Sequence, residues 1–562
     1  MTRLAADVLI VGAGPTGLTM ALELALHNIS FRIIEKSPTP SDKSRALVIH
    51  PRSLELLNRH GLAETLVQES TVGTGARVYV NKKQTMEMDF NDLGFENTAY
   101  PRPIWISQAD TESILASHLE ATYGGVIERG AVASEINQDD TGADVIISKD
   151  DQSESFRFRY VVGCDGAHSA VRHAAGMSFE GAPYPQDFIL CDAHLEWDRA
   201  EDGAKPLTVF LGPTGLLVMF PMKEDTVRLV ASRPSDVLNG RDPGSDPTVD
   251  DFKTLISKMI PGETELHDVF WLASFRLHHR GVDTYRKKRL FVAGDAAHIH
   301  SPAGGQGMNT GIQDAVNLGW KLAHVIYRER DGKKTKEHWL DSYDEERRRV
   351  GMHLLNGTDR IFGYGSSTNY FWVMWRNFVA TWVLPRMLST RERRGTAFRF
   401  ISQLGIRYRF SPITRASNGT LLVKGGDRAP DSKVRLRSGE EKWLSQLCEG
   451  EKHHLILFSG LKARSMKLDE MDAILARFDE IFSKSAFTDT KTHKVYASSV
   501  QHESGLSDVE DKLHGVFGFQ EPGVVFLRPD GYVACIDSIS QVQECIQWVK
   551  QYCDEEDNLR TS

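Results

Sequence analysis

The chain has 562 residues, 41% hydrophobic and 25% charged, the mix of a soluble globular protein with three or four domains of roughly 150 residues each. Its 67 Lys and Arg against 76 Asp and Glu leave a net charge of −9, which excludes a nucleic-acid binder that works by counterion release. Six cysteines without a CxxC pair argue against a disulfide-stapled secreted module, a zinc ribbon and a dithiol redox site, and point to a reduced, cytoplasmic protein.

The N-terminal stretch MTRLAADVLIVGAG runs from one Arg straight into a glycine motif, without the apolar length or cleavage site of a signal peptide. Asp7 to Val11 is a branched apolar run typical of a buried parallel strand. A turn at Gly12–Gly17, a helix over Leu18–His27 and a second strand over Phe31–Ile34 complete a βαβ unit. Between about 185 and 285, short β-rich runs at Leu207–Leu211, Leu216–Phe220 and Val227–Ala231 predict a mainly antiparallel inserted sheet. A parallel-type strand returns at Leu290–Val292, followed by a Gly-rich loop, a long helix to about Arg330 and helical sequence to about Arg415.

Tyr370 to Leu388 is the strongest membrane candidate, but Arg376, Asn377 and Pro385 would be costly in mid-bilayer, so it reads as a buried or dimer-forming helix. Glu345–Arg349 and Arg391–Arg394 read as solvated helix faces. A hinge is predicted at Lys424–Asp431, where Gly and Pro cluster. Beyond it His453–Gly460, Val524–Ile536 and a helix over Val542–Tyr552 suggest a small α/β module.

The turn carries Gly12, Ala13, Gly14, Pro15, Thr16 and Gly17 in GxGxxG spacing. Gly12 permits the tight turn, Gly14 lets a pyrophosphate approach the backbone, and Gly17 allows close helix–strand packing. Phosphates would rest on the helix N-terminus, where unpaired N–H groups favour negative charge. Glu35 ends the second strand, where its carboxylate can accept from an adenosine ribose, with Lys36 beside it as a further candidate contact. A strand-end acid suits FAD or NAD better than NADP, whose 2′-phosphate it would repel.

The segment LFVAGDAAHIHSPAGGQGMNTG, Leu290–Gly311, resembles that of the aromatic-ring hydroxylases, the single-component (group A) FAD monooxygenases that include para-hydroxybenzoate hydroxylase and phenol 2-monooxygenase. The resemblance implies that Gly294 and Asp295 reach the ribityl chain of FAD. It also implies that Gly305, Gly307, Met308 and Asn309 open a helix aimed at the pyrimidine edge of the flavin, where an anionic reduced flavin places its charge. YVVGCDGAHSAVR, Tyr160–Arg172, matches the family's Cys-Asp-Gly segment: Asp165 is implied at the flavin site and His168 at the NAD(P)H pyrophosphate. His168 reads equally as a surface-loop histidine, and Cys164 as a small core residue. Arg45, Ala46 and Gln108 match further flavin contacts, and Pro302 a proline whose carbonyl faces the substrate.

The family's acidic substrate-activating residue aligns here with Leu47, followed by Val48 and Ile49. No catalytic residue is therefore identified, and His50 reads at least as well as structural. Leu47, Ile49, Phe220, Met222 and Pro302 are the candidate substrate contacts, and no metal site is read.

The implied fold class is α/β. A Rossmann-like FAD-binding domain (1–184 and 286–415) carries an inserted mainly antiparallel substrate sheet (185–285) and is followed by a thioredoxin-like domain without a redox dithiol (416–562). The implied function is an FAD-dependent monooxygenase that uses NADPH or NADH and O2 to hydroxylate a phenolic or polyketide-type aromatic through a flavin C4a-hydroperoxide. A homodimer is implied, with no nucleic acid and no membrane span. Epoxidation or Baeyer–Villiger insertion on a secondary metabolite, and a non-catalytic flavoprotein scaffold, are the alternatives.

Overall fold

Val8, Leu9 and Ile10 are fully buried, so the first strand, Leu4–Val11, has no solvent face and needs cover on both sides. Burying each such side chain contributes about 1.5–3 kcal/mol. The computed structural model describes the whole chain except residues 1–3, 42–45, 200–205, 214, 234–244, 301–303, 334–335, 366–368, 417–420, 449, 463–467, 486–488, 501–504 and 555–562. In the first sheet, Leu4–Val11 lies between Phe31–Glu35 and Gln152–Gly163, both parallel to it, and Leu290–Val292 adds a fourth parallel strand beyond Gln152–Gly163.

The helix Pro15–Leu26 covers this sheet. Pro15 occupies its first turn, where no backbone N–H is needed. Its outer side is covered in turn by the long helix Gly307–Arg330, and glycines set the spacing. A Cβ at Gly319 would stand 2.5 Å from Glu23 Cβ, and one at Gly311 would stand 2.2 Å from Thr16 Oγ1. Either substitution would push the two helices apart.

The second sheet is mainly antiparallel. Its order is His298–Ile299, Thr264–Val282, Phe179–Trp197, Thr226–Ser232, Gly215–Pro221, Leu207–Gly212, Gly75–Val80 and Lys83–Asp89. Two of its strands, Gly75–Val80 and Lys83–Asp89, come from the N-terminal part of the chain, the former pairing in parallel with Leu207–Gly212. The amphipathic helix Val249–Met259, started by a Thr248–Asp251 capping box, seals one face of the sheet with Phe252, Leu255 and Ile256.

The third sheet, seven-stranded, runs from Lys433 to Ser538. His454–Phe458 and Lys491–Tyr496 form a parallel pair joined by the helix Leu468–Ser483. Gly523–Leu527 and Val533–Ser538 follow as an antiparallel hairpin, then the helix Val542–Asp554. The hairpin turn docks on the first unit through charge. Arg528 bonds both oxygens of Glu346 at 2.6 and 2.9 Å, and Glu346 also accepts from Lys321 at 2.7 Å. Arg52 donates to the Asp530 carbonyl at 2.8 Å.

This arrangement corrects the reading of 345–349 as a solvated face. Glu346 and Arg347 are buried, because the helix His338–Gly365 turns them onto Lys321, Arg528 and Asp314. Burial pushes the Glu346 carboxyl up, but Arg528 and Lys321 overcome it and hold the group well below the usual carboxylate range. Arg391–Arg394 does face solvent for most of its length.

Tyr370–Phe378 is helical and continues through a π-helical turn to Leu384–Met387. Val373, Arg376 and Ala380 face inward, while Tyr370 and Phe371 are each 73% exposed and Met374, Trp375, Trp382 and Met387 are more than half exposed. Among the described residues no helix is long and apolar enough to cross a membrane.

Replacing Arg528 by Ala should leave Glu346 short of its main cation and lower stability by about 3–5 kcal/mol. Arg528→Lys should rescue only part, since one ammonium cannot bridge both carboxylate oxygens. Scanning calorimetry should show the drop; an unchanged unfolding midpoint in Arg528→Ala would remove this contact from the docking of the third sheet.

Candidate active site

Strand register brings four distant segments to one line. Val11 is level with Gly163 and Ile34, and Gly163 with Val292, so the segments beginning at Gly12, Glu35, Cys164 and Ala293 all leave the sheet at its carboxyl edge. Ligands of open α/β sheets bind outside this edge. Gly12 has φ +100°, and a Cβ there would lie 2.4 Å from the Cys164 carbonyl oxygen; a Cβ on Gly17 would lie 1.9 Å from the Gly12 oxygen. At Gly14 a Cβ would meet only Glu112, at 3.9 Å. Two glycines are thus required by packing, and the third leaves room for a phosphate above the helix N-terminus. Ala13 and Thr16 complete the turn, and Thr16 packs against Gly294.

Glu35 accepts from the amides of Ala13 and Ser37, each at 2.9 Å, which fixes its carboxylate beside the glycine turn. Each oxygen keeps a second lone pair for a hydroxyl. Lys36 follows at the strand end, exposed. Gln108 opens the helix Gln108–Tyr123, capped by Ser107, and donates to Glu112 at 2.8 Å. Glu112 was not picked out from sequence. It is a surface-helix acid by pattern, yet burial, with Glu35 nearby, raises its carboxyl above the usual range.

Asp165 uses one oxygen to accept from the Ala170 amide at 2.6 Å, while its Oδ1 is buried without a protein partner. Burial raises its pKa. An orphaned buried acceptor at the cofactor edge fits a ligand donor. Arg172 binds the carbonyls of Ala167 and Ala296 at 2.7 and 3.0 Å, bolting the Cys-Asp-Gly loop to the 294–297 turn. Burial pushes the Cys164 thiol well up, so the group stays protonated.

Gly294, with φ +59°, opens a short 3-10 turn that leaves Asp295 exposed at the edge. The turn is held from behind by Asp314, fully buried, which accepts from the Gly294 amide at 3.0 Å, His298 at 2.7 Å and Arg347 at 2.7 Å. The following helix begins at Gly307, twelve residues on, so Asp295 is not its cap. The first-turn amides of Gly307, Met308 and Asn309 have no intrahelical acceptors and face the loop side.

Asn309 also clasps two loops: its amide donates to Val48 O and Gly305 O at 2.8 Å each, and its oxygen accepts from the His50 amide at 2.8 Å. Gly304 and Gly305, both left-handed, bring this loop against Val48, where a Cβ on Gly305 would meet the side chain at 2.8 Å. Ala46 pairs through its carbonyl with the Gln108 amide at 3.1 Å. Arg45 and Pro302 lie outside the described residues.

The 47–48 segment that Asn309 clasps also belongs to an apolar cluster. Leu47, Val48, Phe90, Leu93, Phe95, Trp105, Phe398 and Leu404 form one buried cluster, with Phe220 and Met222 of the second sheet packed against it. Ile49 instead points into the main core, because successive strand residues alternate in direction. Trp105, missed from sequence, meets Phe220 edge-on at 5.9 Å, and its Nε1 is buried without a protein acceptor. His50 lies behind Val48 with Nε2 donating to the Gly304 carbonyl at 2.6 Å.

His168 is exposed on the Cys-Asp-Gly loop and stands near a row of bases on the strand Thr264–Val282. Burial first, then Arg280, Arg276, His168 and His279, lower the His278 pKa. By contrast, a cleft of about 410 Å³ between Arg159, Arg289, Glu329 and Lys336 lies at the far end of the long helix, away from every motif. Its Arg159, Arg286 and Arg289 are paired with Glu329, Glu337 and Asp341.

A family model described as "FAD binding domain" matches residues 5–358. A 6-methylpretetramide 4-monooxygenase of Streptomyces rimosus is 31% identical over 546 residues, 94% of this chain and 90% of that protein. A pentachlorophenol 4-monooxygenase of Sphingobium chlorophenolicum is 34% identical over 368 residues, 64% of this chain and 66% of that protein. Among solved structures, anhydrotetracycline hydroxylase from Streptomyces rimosus superposes with a TM-score of 0.69 at 26% identity, covering 95% of this chain and 96% of that one.

His50 and His300 carry the pH dependence of this loop. Burial lowers their pKa values to about 4 and about 3, against 6.5 in the unfolded chain. Below pH 6.5 the unfolded state binds protons that the folded state refuses, so stability falls by about 1.4 kcal/mol per pH unit per histidine until the folded values are reached. His50→Gln, which can keep the bond to Gly304, should flatten the loss between pH 6.5 and 4. The check is the midpoint of thermal flavin release against pH; a profile parallel to the parent's would count against the assignment.

Proposed function

The chain belongs to the FAD binding domain family and is an FAD-dependent aromatic monooxygenase; on that premise we propose that it takes electrons from NADPH or NADH and hydroxylates a phenolic or polyketide-type ring held against the apolar cluster of Leu47, Trp105, Phe220 and Met222. The observation that carries the reading is the meeting of the glycine turn, the Asp165 loop and the Gly294–Asp295 turn on one sheet edge, with the 47–48 segment tied by Asn309 to the Gly305 loop and joined to the apolar cluster of Leu47, Trp105, Phe220 and Met222. The chemistry that FAD supplies when bound is the activation of O2 for transfer of one oxygen atom to the ring.

The protein's own tasks follow from the geometry. The glycine turn and its helix N-terminus bind the pyrophosphate, Glu35 the ribose, and Asp165 and Asp295 hydroxyls further along the cofactor. The first-turn amides of Gly307, Met308 and Asn309 would supply donors to negative charge on the bound cofactor. The aromatic walls orient the substrate and exclude water. The unpartnered Trp105 Nε1 supports a substrate carrying an oxygen at that wall. Arg276 and Arg280, on the strand beside the His168 loop, supply positive charge suited to a dinucleotide pyrophosphate.

The βαβ–ββα order of the third sheet supports a thioredoxin-like module. The exposed aromatic face of 370–387 supports a homodimer, since contiguous apolar patches of this kind mark interfaces.

The test of function is oxidation of NADPH and NADH with a panel of phenols and polyketide aromatics. A hydroxylated product and stimulated oxidation are expected, and Asp295→Ala should bind FAD roughly ten- to hundredfold more weakly, one charge-assisted bond being lost. Stimulation by no aromatic, or unchanged flavin affinity, would overturn the reading. Light scattering at micromolar concentration should return twice the mass of one chain, falling to one when Phe371 and Trp375 are both replaced by Ser; a parent mass of one chain would sink the dimer.

A further inference from the structure

Outside the flavin site, three side chains of the third sheet converge that no sequence motif links. His454 begins the strand His454–Phe458, His493 lies on the parallel neighbour Lys491–Tyr496, and Cys448 closes the short helix Leu444–Leu447. His454 Nδ1 and His493 Nε2 are 3.1 Å apart, and one ligand atom from each of the three residues lies within 4.8 Å of the others. Atoms bound to one tetrahedral zinc at about 2.0–2.3 Å stand roughly 3.3–3.8 Å from each other, so the cluster needs only small shifts to close on an ion.

We propose that Cys448, His454 and His493 form a zinc site, with water in the fourth position, that clips the segment after residue 447 to the two parallel strands. The donor set is one thiolate and two imidazoles with no carboxylate, which suits zinc and disfavours magnesium or calcium. His454 forms the floor of the site at 1% exposure, while Cys448 and His493 are half-buried, which leaves an ion a way in from solvent. Lys491, Lys452 and Arg59 stand near His454 and oppose added positive charge there. The Cys448 thiolate cancels one of the two charges of the ion and is the ligand the site can least lose.

The experiment uses the full-length, FAD-loaded protein, stripped with a chelator, given zinc chloride and passed through a desalting column. One zinc per chain should be retained by atomic emission, and the unfolding midpoint should rise on loading. Cys448→Ser and His493→Gln should each weaken zinc binding about a hundredfold and abolish the rise, one of three protein ligands being lost. Both variants should keep their flavin absorbance, which reports an intact fold, and Cys535→Ser should retain zinc as the parent does. A parent that retains no zinc, or flavin-loaded Cys448→Ser and His493→Gln that retain as much as the parent, overturns the proposal.

Discussion

The cofactor edge hangs on one buried carboxylate. Asp314 has no solvent contact, yet it accepts from a backbone amide, a histidine and an arginine that belong to three separate segments. Burial pushes its carboxyl up, and Arg347 and His298 reverse that and hold it below the usual carboxylate range. Arg347 in turn donates to Tyr408 and to the Thr310 carbonyl. A buried charge without a partner costs several kcal/mol, so the Gly294 turn, the long helix and the helix behind it are held in a single mutual arrangement. The exposed Asp295 owes its position to this hidden neighbour.

The same logic extends outward. The long helix carries Asp314 and Lys321 on its buried side, and each meets a charge from the helix His338–Gly365. Arg528 then reaches in from the third sheet to complete the cluster around Glu346. Apolar packing supplies most of the cohesion of each layer, but such packing is tolerant of small slips. Bidentate charge pairs are not tolerant, since both distance and angle must be met. They set where the third sheet sits, and through Arg52 that placement touches the helix Pro51–Asn58 that follows the 47–49 segment.

Glycine does complementary work at the cofactor edge. Where charges fix positions, Gly12, Gly17 and Gly311 allow backbones to approach closer than any side chain permits. Asn309 then stitches the Val48 and Gly305 loops together. The apolar cluster beside Val48 is assembled from the 47–48 loop, the second sheet and Phe398.

Much of this was legible in the residues. The GxGxxG turn, the strand-end Glu35, the Gly294–Asp295 turn and the helix at Gly307 are local patterns, because period, turn chemistry and capping act within a few residues of chain. The four β-runs at 207–211, 216–220, 227–231 and 290–292 are found within a residue of their observed bounds for the same reason. What the tertiary structure alone decided concerns partners far away in the chain. Glu346 and Arg347 look like a solvated face until Lys321, Arg528 and Asp314 are brought to them. Trp105 and Glu112 gain their places from neighbours that no spacing announces, and Val48 and Ile49 part company because a strand turns successive residues to opposite sides. His454 and His493, 39 residues apart, meet only across a parallel pair. Sequence records which faces are apolar and where the backbone must bend; the burial of a charge or the meeting of ligands depends on the free energy of a partner that only the folded chain supplies.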